Sequence, residues 1–349
     1  MKNLNSRNTN VEILRFVLMC AIFLWHTYMH GFGFTHKALG MFSYPGSLPL
    51  AFFVCSILSP ATYCFVFISG YYGIHFSWKR LLNMLLWTVI VALIHVAYSY
   101  YMGCGSLKSL YSSFLPLSHN RWWFITAYIL LYILSPIVNV AIETMPHKQT
   151  ILILAVIYSI LIYRLIALVP NAGSDFIGVL FMYMLSRLMS VKKVWIPQSS
   201  AVMMFLMCVL GLTVLLCASF YGYGAILSRS MTQRLTFQLF SYCNPLVIAM
   251  AVALFYITIN LPAKKNKLIN YILRPSLFIY LFTQGVAFVN YNNLAAMFID
   301  EPVVYVMWFV IVVVVSLSLG HIVMYCSQLV VNLIEPILGR VYKLLYLKI

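Results

Sequence analysis

The chain has 349 residues, of which 63% are hydrophobic and only 8% are charged. Its mean hydropathy is +0.95, whereas a soluble globular domain carries about 25% charged residues. The composition therefore excludes a soluble enzyme, a nucleic-acid-binding domain and a disordered protein. It predicts an all-α, polytopic integral membrane protein that is embedded in a lipid bilayer and forms a single domain over residues 1–349.

About ten apolar windows have the length of roughly 20 residues that crosses a bilayer as a helix. Their apolar character is continuous, which favours helices over half-buried strands. The windows are 11–33, 49–74, 81–102, 122–142, 150–170, 174–190, 200–221, 235–260, 270–294 and 302–331. We therefore predict a bundle of about ten transmembrane helices.

Basic residues far outnumber acidic ones, with 22 Lys and Arg against 6 Asp and Glu. In a membrane protein such an excess marks the cytoplasmic loops, and it gives no reason to expect a nucleic-acid partner. With ten spans and an inner N-terminus, Arg15 and Arg164 lie within spans, and the basic residues outside are Lys37, Lys108, Arg121, Arg229 and Arg234. All others lie inside, so we expect both termini in the cytoplasm.

The eight cysteines form no Cys-x-x-Cys pair and no Cys/His spacing typical of a metal site. Most of them lie in apolar windows, where cysteine acts as a small packing residue. The sequence therefore supports neither disulfides nor a metal site.

The first window contains three polar residues in a costly environment: Glu12, Arg15 and His26. A charged side chain inside a span costs about 2.5–3.5 kcal/mol on insertion scales. On a helix Arg15 and His26 are three turns apart, so they share one face and lie about 16 Å apart along the axis. Glu12 precedes Arg15 by one turn and is placed to pair with it.

Each of these residues has an alternative interpretation. Glu12 and Arg15 also fit an interfacial pair in which Arg15 extends to the cytoplasm. His26 also fits a hydrogen bond to a neighbouring helix, as well as a proton carrier near neutral pH. Their common face favours a shared pocket or path. His30 lies one turn later, near the outer interface, and is expected to be solvated.

Other polar residues near the outer side are weaker candidates. Arg164 either extends to the interface or faces a substrate anion. The segment 119–123, which ends at Trp123, fits an aromatic anchor at the interface. Asn292 belongs to a polar segment, 290–293, that either contacts a sugar or is a simple loop. His95 and His321 are expected to be packing residues.

Four stretches resemble, in order, the motifs of the membrane acyltransferase-3 family. Arg15 and His26 are similar to the Arg-x10-His motif of its first helix. The other stretches are 65–71, which ends in Ser-Gly-Tyr, 123–139, with Trp-Phe and Ser-Pro, and 276–281, with Ile-Tyr-Leu. The similarity covers about residues 10–330. The chain departs from the family at Thr283, where His is common, and at Asn83, where the second Arg of Arg-x-x-Arg is expected.

The resemblance implies an enzyme that transfers an acyl group, often acetyl from acetyl-CoA, to sugar hydroxyls of envelope or exported polysaccharides. It implies a multi-pass protein of the bacterial cytoplasmic membrane, with acyl-CoA as a substrate and no permanently bound cofactor. His26 would act as general base or acyl acceptor, and Arg15, held by Glu12, would orient the anionic donor. Lys79 and Arg80 would assist with the donor. The residues expected at the glycan or lipid-linked saccharide acceptor are Trp123, Arg164, Tyr280 and Asn292.

Two other functions remain open from the sequence. In a transporter or flippase for a lipid-linked saccharide, Arg15 and His26 would form a proton or anion path. The chain shows no internal repeat of the kind many transporters have. A structural partner in a polysaccharide assembly complex is the third possibility, and the oligomeric state is undetermined.

Overall fold

The computed structural model describes residues 8–35, 39–44, 46–170, 172–284 and 289–346, with side chains as far as residue 334. Of the described residues, 78% are helical and none lies in a strand. The all-α prediction is therefore confirmed.

The described residues form helices of very different length. They are α1 (Thr9–His26), α2 (Leu48–Leu58), α3 (Ala61–Tyr72), α4 (Trp78–Tyr101), α5 (Leu107–Phe114), α6 (Trp123–Thr144), α7 (His147–Ile166), α8 (Phe176–Val191), α9 (Gln198–Gly224), α10 (Arg229–Gln238), α11 (Pro245–Ile259), α12 (Lys267–Ile272), α13 (Leu277–Thr283), α14 (Tyr291–Asp300) and α15 (Pro302–Tyr346). A π-helical turn, Thr27–Gly31, continues α1, and a 3₁₀ turn covers Gly40–Phe42.

Within the described residues, seven helical segments are long and apolar enough to cross a membrane. They are Thr9–Gly31, Leu48–Tyr72, Trp78–Tyr101, Trp123–Thr144, His147–Ile166, Gln198–Gly224 and Pro302–Ile334. Two shorter apolar helices are Phe176–Val191 and Pro245–Ile259. Together these segments overlap every predicted window except 270–294. The polytopic membrane class is supported, while the count of ten and the side of each terminus stay predictions.

The window 270–294 is not one helix, contrary to the expectation. Pro275 lacks the N–H that would continue α12, and Asn290 caps a new helix by accepting the N–H groups of Asn292 and Asn293. Between these breaks, α13 runs only from Leu277 to Thr283. Seven residues span about 10 Å, far short of the roughly 30 Å hydrocarbon core.

Helix α1 packs against α3, α11 and α13. Helix α3 in turn packs closely against α8 at Gly70. A Cβ at Gly70 would lie 2.6 Å from the Tyr183 carbonyl oxygen and would also collide with the Ser186 hydroxyl. Gly70 therefore permits the close packing of α3 against α8.

In the Ser-Pro pair of α6, the serine replaces a backbone hydrogen bond that the proline removes. Pro136 has no N–H, so the carbonyl of Tyr132 loses its usual helical donor. Ser135 Oγ donates to that carbonyl at 2.8 Å. The Tyr132 hydroxyl accepts the N–H of Ser77 at 2.9 Å. Helix α6 therefore holds the loop that leads into α4.

Candidate active site

The beginning of α1 is fixed by hydrogen bonds to a distant basic segment. Asn8 Oδ1 caps the helix by accepting the N–H of Asn10 at 3.0 Å. The N–H of Thr9 donates to the Lys264 carbonyl at 2.8 Å, and Asn10 Nδ2 donates to the Pro262 carbonyl at 2.9 Å. The first turn of α1 therefore lies beside the lysines that follow α11.

One turn further, Glu12 and Arg15 form an ion pair. Arg15 Nη1 donates to Glu12 Oε1 at 2.8 Å, with the Glu12 side chain 6% exposed and that of Arg15 27% exposed. The predicted pairing is confirmed. The pair compensates a buried carboxylate, and the guanidinium, with five N–H donors, still has groups facing solvent.

His26 is the last residue of α1, and its ring is held in one orientation. Its Nδ1 lies 2.6 Å from the carbonyl oxygen of Ile22. Because a carbonyl only accepts, Nδ1 carries the proton, and in the neutral ring Nε2 keeps its lone pair. His26 is half-buried. A ring held in this way can accept a proton from a reactant at Nε2.

Directly after His26 the helix widens into the π-helical turn Thr27–Gly31, in which the N–H of Phe32 donates to the Thr27 carbonyl. Such turns occur frequently at functional sites. The turn stacks the ring of His30 on that of His26, with centroids 5.4 Å apart and planes 6° apart. His30 is exposed, as expected. Its contact with His26 was not expected.

Tyr291 completes this group of rings. Its ring centroid lies 6.3 Å from that of His26 and 5.6 Å from that of His30. Its hydroxyl donates to the Thr283 carbonyl at 3.0 Å. Gly31 permits this approach, because a Cβ there would lie 2.5 Å from the Tyr291 carbonyl oxygen. The sequence did not single out Tyr291, and its place in the polar segment 290–293 was the one available signal.

Arg15 and His26 share a helix face but are not in contact. Since α1 is continuous between them, they lie about 16 Å apart along its axis. Met19 and Ile22 occupy the same face between them, with exposures of 0% and 5%. Any joint action of Arg15 and His26 therefore requires a ligand long enough to reach both.

Arg164 has a carboxylate partner, which the sequence did not predict. Its guanidinium forms an ion pair with Asp175. Asp175 also caps α8, since its Oδ1 accepts the N–H of Gly178 at 3.0 Å. The pair joins the end of α7 to the start of α8. A role of Arg164 at the acceptor stays a prediction.

The other residues expected at the acceptor lie in different surroundings. Trp123 is half-buried, with its ring 5.6 Å from that of Tyr242. Tyr280 is 4% exposed and packs against Phe124, with ring centroids 5.9 Å apart. Asn292 is exposed in the first turn of α14. Of that turn, it is the neighbouring Tyr291 whose ring contacts His26.

Lys79 and Arg80 lie in the first turn of α4, half-buried and exposed respectively. Asn83 Nδ2 donates to the Lys79 carbonyl at 2.8 Å, and Asn83 Oδ1 accepts from Ser327 Oγ at 2.9 Å. Asn83 therefore connects α4 to α15. This contact explains how an amide is accommodated at a position where an arginine was expected.

His321 packs as the sequence predicts, and of the cysteines Cys55, Cys64, Cys208 and Cys243 are buried, whereas Cys104 and Cys326 are exposed. The ring of His321 stacks on that of Tyr271, with centroids 4.7 Å apart. All eight cysteines are free thiols.

Three of the described helices contain motifs that resemble those of one known family. They are α1 with Arg15 and His26, α6 with Trp-Phe and Ser-Pro, and α13 with Ile-Tyr-Leu. The sequence model of the acyltransferase-3 family, described as an acyltransferase domain, matches residues 8–325. The chain belongs to this family. The match extends from the cap of α1 into α15 and confirms the resemblance drawn from the motifs. No significant match was found among the curated proteins or the solved structures. The protein is thus a membrane acyltransferase.

Proposed function

We propose that this acyltransferase transfers an acyl group, in the simplest case acetyl, from acyl-CoA to a hydroxyl of a cell-envelope or exported polysaccharide. The observation that carries the proposal is the orientation of His26, whose Nδ1 donates to the Ile22 carbonyl. In this tautomer Nε2 is the basic nitrogen, as acyl transfer to an alcohol requires.

The proposed reaction needs one proton transfer in each direction. His26 Nε2 takes the proton of the acceptor hydroxyl while the oxygen attacks the thioester carbonyl. The resulting tetrahedral intermediate collapses, the carbon–sulfur bond breaks, and the CoA sulfur takes the proton from His26. The products are the sugar ester and free CoA. A stepwise route, in which His26 itself carries the acyl group, uses the same ring nitrogen.

Arg15 has a different role in this proposal. At about 16 Å along the helix it is too far from His26 to stabilise the oxyanion at the reacting carbon. The guanidinium, oriented by Glu12 at 2.8 Å, instead binds a phosphate of the donor. Lys79, Arg80 and the lysines near the start of α1 add positive charge for the same anion. Acyl-CoA enters from the cytoplasm, as the predicted topology requires.

The acceptor is proposed to approach the other end of α1, beside His26, His30 and Tyr291. Trp123 is proposed to contact the saccharide through its half-buried ring, and Asn292 through its exposed amide. Tyr280 supports this region from within, through its contact with Phe124.

The deciding experiment replaces His26 by alanine and, as a matched control, His321 by alanine. Membranes with each full-length variant receive radiolabelled acetyl-CoA, and ester-linked label on the endogenous glycan is measured beside the amount of inserted protein. We expect His26→Ala to reduce transfer by about 10²–10⁴-fold, the contribution typical of a general base. His321→Ala should retain full transfer.

Two outcomes would overturn the proposal. One is unchanged ester content in the inserted His26→Ala protein. The other is accumulation of lipid-linked glycan on the cytoplasmic side with a normal ester content per exported chain, which is the result expected of a flippase. The family match supports acyl transfer and gives no support to transport.

A further inference from the structure

Arg121 forms a second polar group with residues that the reaction above does not use. It lies in the turn before α6, half-buried, with Nη2 3.2 Å from Nδ1 of His95. Its guanidinium carbon lies 5.2 Å from the ring centroid of Trp122. Arginine only donates, so His95 Nδ1 accepts and its ring is neutral. The histidine therefore supplies no negative charge to balance Arg121.

The other half-buried arginines each have a carboxylate partner, unlike Arg121. Among the arginines whose side chains the structure describes, Arg15, Arg121, Arg164 and Arg187 are half-buried. Arg15 binds Glu12, Arg164 binds Asp175 and Arg187 binds Glu143. For Arg121, no described carboxylate lies within ion-pair distance.

An uncompensated guanidinium at this depth is unfavourable. Burial lowers the pKa of Arg121 below its usual value, because desolvation disfavours the charged form. Burying a charge is costly unless it is paired. An anion that bound beside Arg121 would offset this cost.

Trp122 adds a second donor that lacks an acceptor. Its side chain is 2% exposed, and its Nε1 has no hydrogen-bond partner among the described residues. The indole N–H can only donate, as can the guanidinium. Two neighbouring residues thus supply donors, which is the chemistry that suits carboxylate or phosphate oxygens.

The position of this group relates it to His26 through α13. The ring of Phe282 lies 6.1 Å from that of His95. The next residue, Thr283, accepts the hydroxyl of Tyr291, whose ring lies 6.3 Å from that of His26. His95, the partner of Arg121, and Tyr291, the neighbour of His26, therefore contact two adjacent residues of one short helix. In the predicted topology, Arg121 and the end of α1 where the acceptor is proposed to react both lie on the outer side.

We propose that Arg121 and Trp122 bind an anionic group of the acceptor saccharide. The oxyanion is either the carboxylate of a sugar acid or a phosphate attached to the saccharide. The assignment of the anion to the acceptor rests on the proposed function, but the binding of an anion can be tested without turnover. It assigns Arg121 to acceptor recognition and leaves donor binding to Arg15.

The test uses the purified full-length protein in lipid nanodiscs and isothermal titration calorimetry. The probes are glucuronate, inorganic phosphate and, as the neutral control, glucose. We expect one of the anions to bind and glucose not to bind, and the preferred anion identifies the source of the oxyanion. Arg121→Gln should weaken anion binding by about tenfold or more. The matched control is Arg229→Gln, since Arg229 also lies over a ring, that of Phe42, but is exposed.

A second measurement avoids any effect of Arg121→Gln on folding. Wild-type protein is treated with phenylglyoxal, which modifies arginine, and the modification of Arg121 is quantified by mass spectrometry. The anion that binds should protect Arg121, and glucose should not. The proposal is overturned if neither anion binds or protects, or if inserted Arg121→Gln binds the anion as tightly as wild type.

The His26→Ala variant separates this inference from the proposed function. It should bind the anion as wild type does, because His26 does not contact it. If its ester transfer were unchanged while Arg121→Gln lost anion binding, the catalytic proposal would fail and the anion site would stand. If His26→Ala lost transfer and anion binding did not depend on Arg121, the catalytic proposal would stand and the anion site would fail.

Discussion

The two ends of α1 are built in different ways. The first turns are held by hydrogen bonds and charge, with Thr9 and Asn10 bound to the segment after α11 and Glu12 paired with Arg15. The last turn is held by ring contacts, with His26 between the π-helical turn and Tyr291. Arg15 and His26, the two residues of one motif, therefore lie in different environments.

This difference indicates a division of labour along one helix. Charge pairing at the first end orients a guanidinium, which suits the recognition of an anion. At the other end, the hydrogen bond to the Ile22 carbonyl and the ring contacts together orient the imidazole of His26, which suits proton transfer. The comparison predicts that changes at the first end alter binding, whereas changes at the second end alter the chemical step.

The largest effect that tests this comparison is expected for Arg15→Ala. Loss of the proposed charge-assisted hydrogen bond to the donor should raise the KM for acetyl-CoA about 10–100-fold, with little change in kcat. Steady-state kinetics in membranes measures the two constants separately. Lys192→Gln, which removes an exposed basic residue at the end of α8, is the charge-matched control and should change neither. A loss of kcat at constant KM would place Arg15 in the chemical step and contradict the division.

A smaller effect is expected for Gly31→Ala at the other end. The new Cβ would lie 2.5 Å from the Tyr291 carbonyl oxygen, so α14 must shift and Tyr291 must move away from His26. Because small displacements at a reacting group slow catalysis, kcat should fall about tenfold with the KM for acetyl-CoA unchanged.

The control for this change is Gly222→Ala on α9, where a Cβ would meet nothing within 4 Å. It should retain the wild-type kcat. If Gly31→Ala also retained it, the contact between Tyr291 and His26 would have no part in the reaction.

The smallest effect on catalysis is expected for Arg164→Gln. This change breaks the ion pair with Asp175, which joins α7 to α8, so the midpoint of thermal unfolding should fall by a few degrees. Transfer at a temperature well below that midpoint should stay near wild type. A strong rise in the KM for the acceptor without a change in the midpoint of thermal unfolding would instead support the predicted contact of Arg164 with the acceptor.

Local patterns explain why much of the site could be predicted. Glu12 and Arg15 are one turn apart, and Arg15 and His26 are three turns apart, so a single helix fixes both relations. The prediction of one helix over 270–294 is wrong because hydropathy averages over Pro275, after which α12 does not continue, and Asn290, which caps α14. Apolar composition by itself does not show where the backbone loses its hydrogen-bond donors.

The sequence by itself determined the membrane class and the polar face of α1, because hydropathy and helical periodicity act between near neighbours in the chain. Its motifs, in turn, carried the resemblance to the family. The tertiary structure decided the contact of Tyr291 with His26, the pairing of Arg164 with Asp175 and the placement of Arg121 beside His95. Each of these contacts joins separate helices or turns. No spacing rule of a single helix reports them, because they depend on how the helices pack.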